Sequence, residues 1–123
     1  MLNDQADIVG ADAVVAALGG WPSFHDAEIV RLHLERDGVS TVSIQLVGPD
    51  GRCKDGRVVT FTMECIKDLS LEGEHINSQN VISDLAIENT PGGIRLTFSP
   101  CYGLAGRITA EKVSVKIDST TSV

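Results

Sequence analysis

The chain has 123 residues, 42% of them hydrophobic, 22% charged and 4% aromatic, and a formal net charge of −7. That length and balance suit one folded domain over residues 1–123 and exclude a disordered chain. The acidic excess repels phosphate backbones and anionic lipid surfaces, so neither nucleic acid nor membrane is an expected partner.

No basic-plus-apolar leader opens the sequence, and no apolar run approaches the roughly 20 residues needed to span a bilayer. A cytoplasmic location is the expectation. The three cysteines, Cys53, Cys65 and Cys101, are odd in number and lack a C-x-x-C pairing. This argues against a disulfide framework or a thiolate zinc site and for a reducing compartment. No cofactor is implied.

The first element is "ADAVVAAL", residues 11–18, with Asp12 as the expected N-cap and Gly19-Gly20 as the stop. Two turns of helix cannot stand alone in water, so Val14, Val15 and Leu18 must pack on something else. After Pro22 the period changes to two. Val30, Leu32 and Leu34 are expected to face inward, Asp37-Gly38 to turn the chain, and Val42, Ile44 and Leu46 to face inward on the return strand. A polar connection, "GPDGRCKDG" (48–56), leads to a long third strand with Val59, Phe61, Met63 and Cys65 on its core face. Leu69 and Leu71 suggest a short fourth strand.

Leu85 and Ile87 then alternate with Asp84, Ala86 and Glu88, "TPGG" makes a tight turn, and Ile94, Leu96 and Phe98 point inward on the partner strand. "PCYGLAG" interrupts the pattern before a last strand, "RITAEKVSVKI", and residues 118–123 read as a frayed tail. The sum is a mainly β fold: an antiparallel curved sheet or sandwich of about seven strands with one short N-terminal helix.

The stretch "WPSFHD" carries the residue types of a hydrolase: Ser23 or Cys101 as nucleophile, His25 as base and Asp26 as its orienter. In an extended chain adjacent side chains point to opposite sides, which places Asp26 badly for holding the His25 ring. No G-x-S-x-G elbow is present either. A metal set drawn from His25, Asp26, His33 and His75 has no recognisable ligand spacing. The structural alternative makes this stretch a corner. Trp21 and Phe24 flank Pro22 as apolar plugs, His25 is a half-buried ring bonded to a backbone group, and Asp26 pairs an Arg or accepts from backbone amides at the turn. Cys101 is then a buried small hydrophobe, and Gly103 and Gly106 mark a bulge or a close approach of strands.

The charge is uneven. Glu64, Asp68, Glu72, Glu74, Asp84 and Glu88 face Lys67 alone between residues 64 and 88. Such a run is either a solvated face or a docking surface for a basic partner.

"GWPSFHDAEI", "NVISDLAIEN" and "CYGLAGRITAEKVSV" together resemble the immunity protein 50 family of bacterial polymorphic toxin systems, over most of residues 18–117. The W-P-x-F-H-D element is the most specific part and the Y-G-x-x-G-R-I element the second. The resemblance implies a small, mostly β, cytoplasmic protein without catalytic residues that binds and neutralises a cognate toxin domain. It marks Trp21, Pro22, Phe24, His25 and Asp26, and separately Tyr102, Gly103 and Gly106, without assigning them to core or interface. The competing reading is a structural or interaction subunit with another cytoplasmic protein. Nothing in the sequence sets the oligomeric state.

Overall fold

The computed structural model describes residues 8–48 and 56–118. Helix α1 (Ala11–Leu18) precedes six strands: β1 (Glu28–His33), β2 (Ser40–Gln45), β3 (Val58–Glu72), β4 (Ile82–Thr90), β5 (Gly93–Pro100) and β6 (Ala105–Ile117). They form one antiparallel sheet in the order β1-β2-β3-β6-β5-β4. The mainly β expectation holds, with six strands rather than seven, because Leu69 and Leu71 are the end of β3 and not a strand of their own.

The core follows the alternation wherever the alternation is unbroken. Val42, Ile44, Val59, Phe61, Met63, Ile94, Leu96 and Phe98 are all buried, and Val113 and Val115 of β6 join them. Trp21, Phe24 and Phe61 meet as tilted or edge-on rings with centroids 6.0 to 6.5 Å apart, a favourable aromatic geometry. Helix α1 adds Ala11 and Val14 and packs on β6. Its N-cap is Gly10, with Asp12 in the first turn, where a carboxylate complements the helix dipole without capping an amide. The cap expected at Asp12 is therefore displaced by two residues.

Three further departures arise where a bulge, a strand end or a left-handed residue interrupts the alternation. In β1 the register shifts between Ile29 and Arg31, so Ile29 is buried and Val30 is turned outward. Leu34 lies beyond the strand and is exposed, and the chain returns through residues 34–39, not a two-residue Asp37-Gly38 turn. The Glu35 amide closes that loop on the buried Ser40 hydroxyl at 2.9 Å. In β3, Cys65 has φ 58° and is exposed, and a second shift falls between Ile66 and Asp68. The second hairpin is as expected, with Thr90 paired to Gly93 across Pro91-Gly92.

The long β3–β6 ribbon divides the sheet. β2 pairs only with Val58–Met63 of β3, while β5 pairs only with Gly106–Ala110 of β6. The core face is Val113 and Val115 in one half of β6 and Ile108 and Ala110 in the other, so its phase slips at Glu111, opposite Cys65. Two half-sheets thus share one ribbon.

At the N-terminal ends of β1 and β4 the two outer strands of the sheet meet. Glu28 bridges Val81, and three backbone bonds join the strands: Asp26 N–H to Ile82 O (2.8 Å), Ile82 N–H to Ala27 O (2.9 Å) and Ile29 N–H to Asn80 O (2.8 Å). The sheet curls until its edges touch at this one end. Beside β6, Val9 forms a parallel bridge with Ser114. The chain is held as far as Asp118, whose amide donates to Val58 O and whose carbonyl accepts from Arg57. The rest of the expected tail, residues 119–123, lies outside the described residues, as do Cys53 and most of the 48–56 connection.

Candidate functional site

The W-P-x-F-H-D element forms the corner that feeds β1 into this closure. Phe24 is buried, Trp21 packs on the core, and Asp26 takes a left-handed φ of 65° that lets its amide reach β4. The same left-handed turn overrides the extended-chain argument. The His25 and Asp26 side chains do meet, Nδ1 to Oδ2 at 3.2 Å, and both are mainly exposed. His25 is therefore not the half-buried ring expected. The Ser23 hydroxyl accepts from the His25 backbone amide at 3.2 Å, so it serves the turn and not the ring. His33 pairs with Glu35 at the end of β1, and His75 lies in the β3–β4 connection. Among the described residues no three His, Cys, Asp or Glu side chains stand close enough to share a metal ion.

The Y-G-x-x-G-R-I element converges on the same closure from the other side. The Cys101 and Tyr102 amides both donate to Val81 O, at 2.8 and 3.0 Å, and the Leu104 amide donates to Asn80 Oδ1 at 2.9 Å. Asn80 Nδ2 donates in turn to Ile76 O at 2.7 Å. At Gly103, with φ 80°, a side chain would collide with the Gln79 carbonyl and the Asn80 side chain; at Gly106 it would collide with Ser70 O across the ribbon. The close approach expected of both glycines is present. Residues 80–82 thus clasp both motifs, the corner through backbone bonds and the loop through the Asn80 side chain and Val81 carbonyl.

The sequence reading missed Asn80. Its signal was the residue type alone, a turn-forming Asn directly before a strand pattern, since Asn side chains bond nearby backbone.

Two motif residues are left over from this structural work. Tyr102 is 63% exposed, and Cys101 is exposed rather than buried. Both line a cleft of about 630 Å³ with Glu72, Glu74, His75 and Gln79. The cleft joins one motif to two of the singled-out carboxylates.

The six carboxylates do not form one patch. Glu64, Asp68 and Glu72 lie on β3 with Glu74 just beyond, whereas Asp84 and Glu88 lie on β4, and β6 and β5 intervene. Those two central strands bring arginines between the flanks. Arg107 reaches Asp68 at 3.4 Å, and Arg95, opposite Glu88, bonds the Thr109 hydroxyl at 3.2 Å. Glu64 stands opposite Lys112. On β3, Lys67 meets Glu111 at 3.1 Å, and this hydrogen bond and charge hold the Glu111 carboxyl below its ordinary pKa, with Cys65 and Lys112 assisting. The arrangement is two acidic flanks around a mixed-charge centre.

This geometry defines a small antiparallel β protein whose two motifs meet at one closure and whose charged side chains are spread over β3 to β6. Residues 10–120 match the family described as Immunity protein 50, and the chain belongs to that family. The resemblance carried by the motifs is thereby established across nearly the whole chain, and with it an immunity role in general and a protein partner. No curated protein and no solved structure matches it. No helix is long and apolar enough to cross a membrane among the described residues.

Proposed function

We propose that this protein neutralises a cognate toxin domain by binding it, without catalysis of its own, and that the cleft holding Tyr102, Glu72 and Glu74 faces the toxin. The observation that carries this reading is the division of labour in the second motif. The Leu104 amide is tied to Asn80 and Gly103 packs closely against it, while the Tyr102 ring is left exposed beside two carboxylates. An exposed tyrosine fixed by its neighbours offers a large contact area at low entropy cost, which is what interface anchors require. The carboxylates and the net charge of −7 suit a basic partner surface, such as that of a nuclease, and favour fast, salt-sensitive association.

The corner residues Trp21, Pro22, Phe24, His25 and Asp26 serve closure in this reading, and discrimination between toxins falls to the charged strands. Glu64 and Asp68 on one flank, and Asp84 and Glu88 on the other, extend the candidate contact surface. Location in the cytoplasm follows from the same role.

The test is calorimetric titration with the C-terminal domain encoded by the adjacent upstream gene, at low and moderate salt. Tight binding that weakens with salt is expected. Tyr102→Ala should lower the affinity about tenfold or more, in the range of an interface anchor, with the melting temperature unchanged. Reversal of Asp84 and Glu88 to Lys tests the β4 flank in the same assay. Absence of binding at micromolar concentration would overturn the assignment and leave a subunit of another assembly as the better reading.

A further inference from the structure

β3 is longer than the strand beside it. β2 ends its pairing at Met63, yet β3 continues to Glu72, bonded to β6 on one side only. Among the described residues no backbone group pairs with the other side of residues 66–72. The space along that edge is not filled by the fold. A cavity of about 490 Å³ opens where β2 stops, lined by Leu34, Met63, Ile66 and Leu69 and also by Glu35 and Arg36. Leu34 and Leu69 are 45% and 42% exposed at its rim.

A row of free amides and carbonyls beside a largely apolar hollow has one natural complement, an extended chain that continues the line of β2 and sets a side chain into the hollow. The edge also carries a charge signature. Glu64, Asp68, Glu72 and Glu74 lie along it; Lys67 is engaged with Glu111 and Arg107 with Asp68, while Glu35 and Arg36, which line the hollow, cancel in charge, so the edge keeps an acidic excess. A second copy of this chain laid antiparallel on the same edge would bring carboxylates to carboxylates, which disfavours self-pairing. A basic strand is complementary. The bulge at Lys67 and its ion pair mark the near end of the free edge, and Glu72 at the far end also lines the Tyr102 cleft.

We infer that the edge of β3 from Asp68 to Glu72 receives an extended, basic strand of the toxin domain by β-augmentation, with an apolar side chain seated between Leu34 and Leu69. This rests on the toxin-binding reading and specifies its geometry. Affinity then comes from main-chain hydrogen bonds along the edge, and selectivity from the hollow and the carboxylates that flank it.

The test is hydrogen–deuterium exchange of the full chain, alone and with the upstream-encoded toxin domain, resolved to single amides by NMR. In the complex, alternate amides between Ile66 and Glu72 should exchange about tenfold or more slowly, and the paired amides between them should change little. Leu69→Lys should weaken the complex about tenfold or more while Leu69→Met binds as the parent does, both folding normally because Leu69 is at the surface. A complex that forms with these amides unprotected, or with protection on β4 instead, overturns the strand-docking geometry and spares the immunity reading. Protection that grows with the concentration of this chain alone identifies a second copy as the occupant and overturns it too. No complex at all fails the toxin-binding reading itself, and this inference with it.

Discussion

Asp26 shows how a single backbone angle changes the meaning of a motif. Its φ of 65° is tolerated by Asp, Asn and Gly and resisted by branched side chains. Asp26→Val should therefore be less stable than Asp26→Asn by roughly 1–2 kcal/mol, the cost of a left-handed residue with a crowded Cβ, read as the difference between two urea midpoints. Gly106 carries a second constraint of this kind, because a Cβ at φ 141° would meet Ser70 O on the paired strand. Gly106→Ala should cost about 1–3 kcal/mol by the same measurement. Much at this scale was legible in the sequence: Phe24 as a plug, Gly103 and Gly106 as close approaches, the inward residues of β2 and β5. What was not legible was the contact of His25 with Asp26. Alternation assumes an extended chain, and nothing in the letters of "FHDA" announces a left-handed turn.

Among the elements, the strands were readable until a bulge intervened. Val30, Leu34 and Cys65 were each expected inward by period two, and each stands outside, because a register shift, a strand end or a left-handed residue intervenes. The merger of two expected strands into β3 has the same origin, since the change of phase near Cys65 looks in sequence like a strand ending. Phe61 is fully buried in the half of the sheet that holds β2 and touches both Trp21 and Phe24, so Phe61→Ala should cost roughly 3–5 kcal/mol and shift the urea midpoint without changing which residues pair. At the bulge of β3, Lys67 holds Glu111 below its ordinary pKa. A carboxyl with a depressed folded-state pKa adds stability above its unfolded-state value and loses it as pH falls through the lowered one. Lys67→Met should therefore lie below the parent in melting temperature near neutral pH, with the gap closing as acid protonates Glu111. Since the pair is exposed, the gap should be small and shrink further in salt.

For the molecule as a whole, the decisive feature is that both family motifs end on residues 80–82. The acidic segment and the two motifs stood far apart in the sequence, and no periodicity connects them; only the curl of the sheet brings β1 to β4 and the Tyr102 loop beneath both. Asn80 is the side chain on which this depends. It accepts from Leu104 and donates to Ile76, while its carbonyl takes the Ile29 amide. Asn80→Ala keeps the backbone bond and removes the other two, leaving the half-buried Leu104 amide without its acceptor, a loss of roughly 1–3 kcal/mol. The effect should not stay local. Exchange of the Tyr102, Gly103 and Leu104 amides should speed up in the variant, and because the cleft proposed to face the toxin is built on that loop, affinity for the toxin domain should fall even at temperatures where the chain remains folded. Asn80→Asp keeps the acceptor and loses only the donor to Ile76. If the loop's order depends on the Leu104 bond, Asn80→Asp should keep slow exchange at Leu104 where Asn80→Ala does not, and equal exchange in the two variants would show that the backbone bonds of the closure suffice.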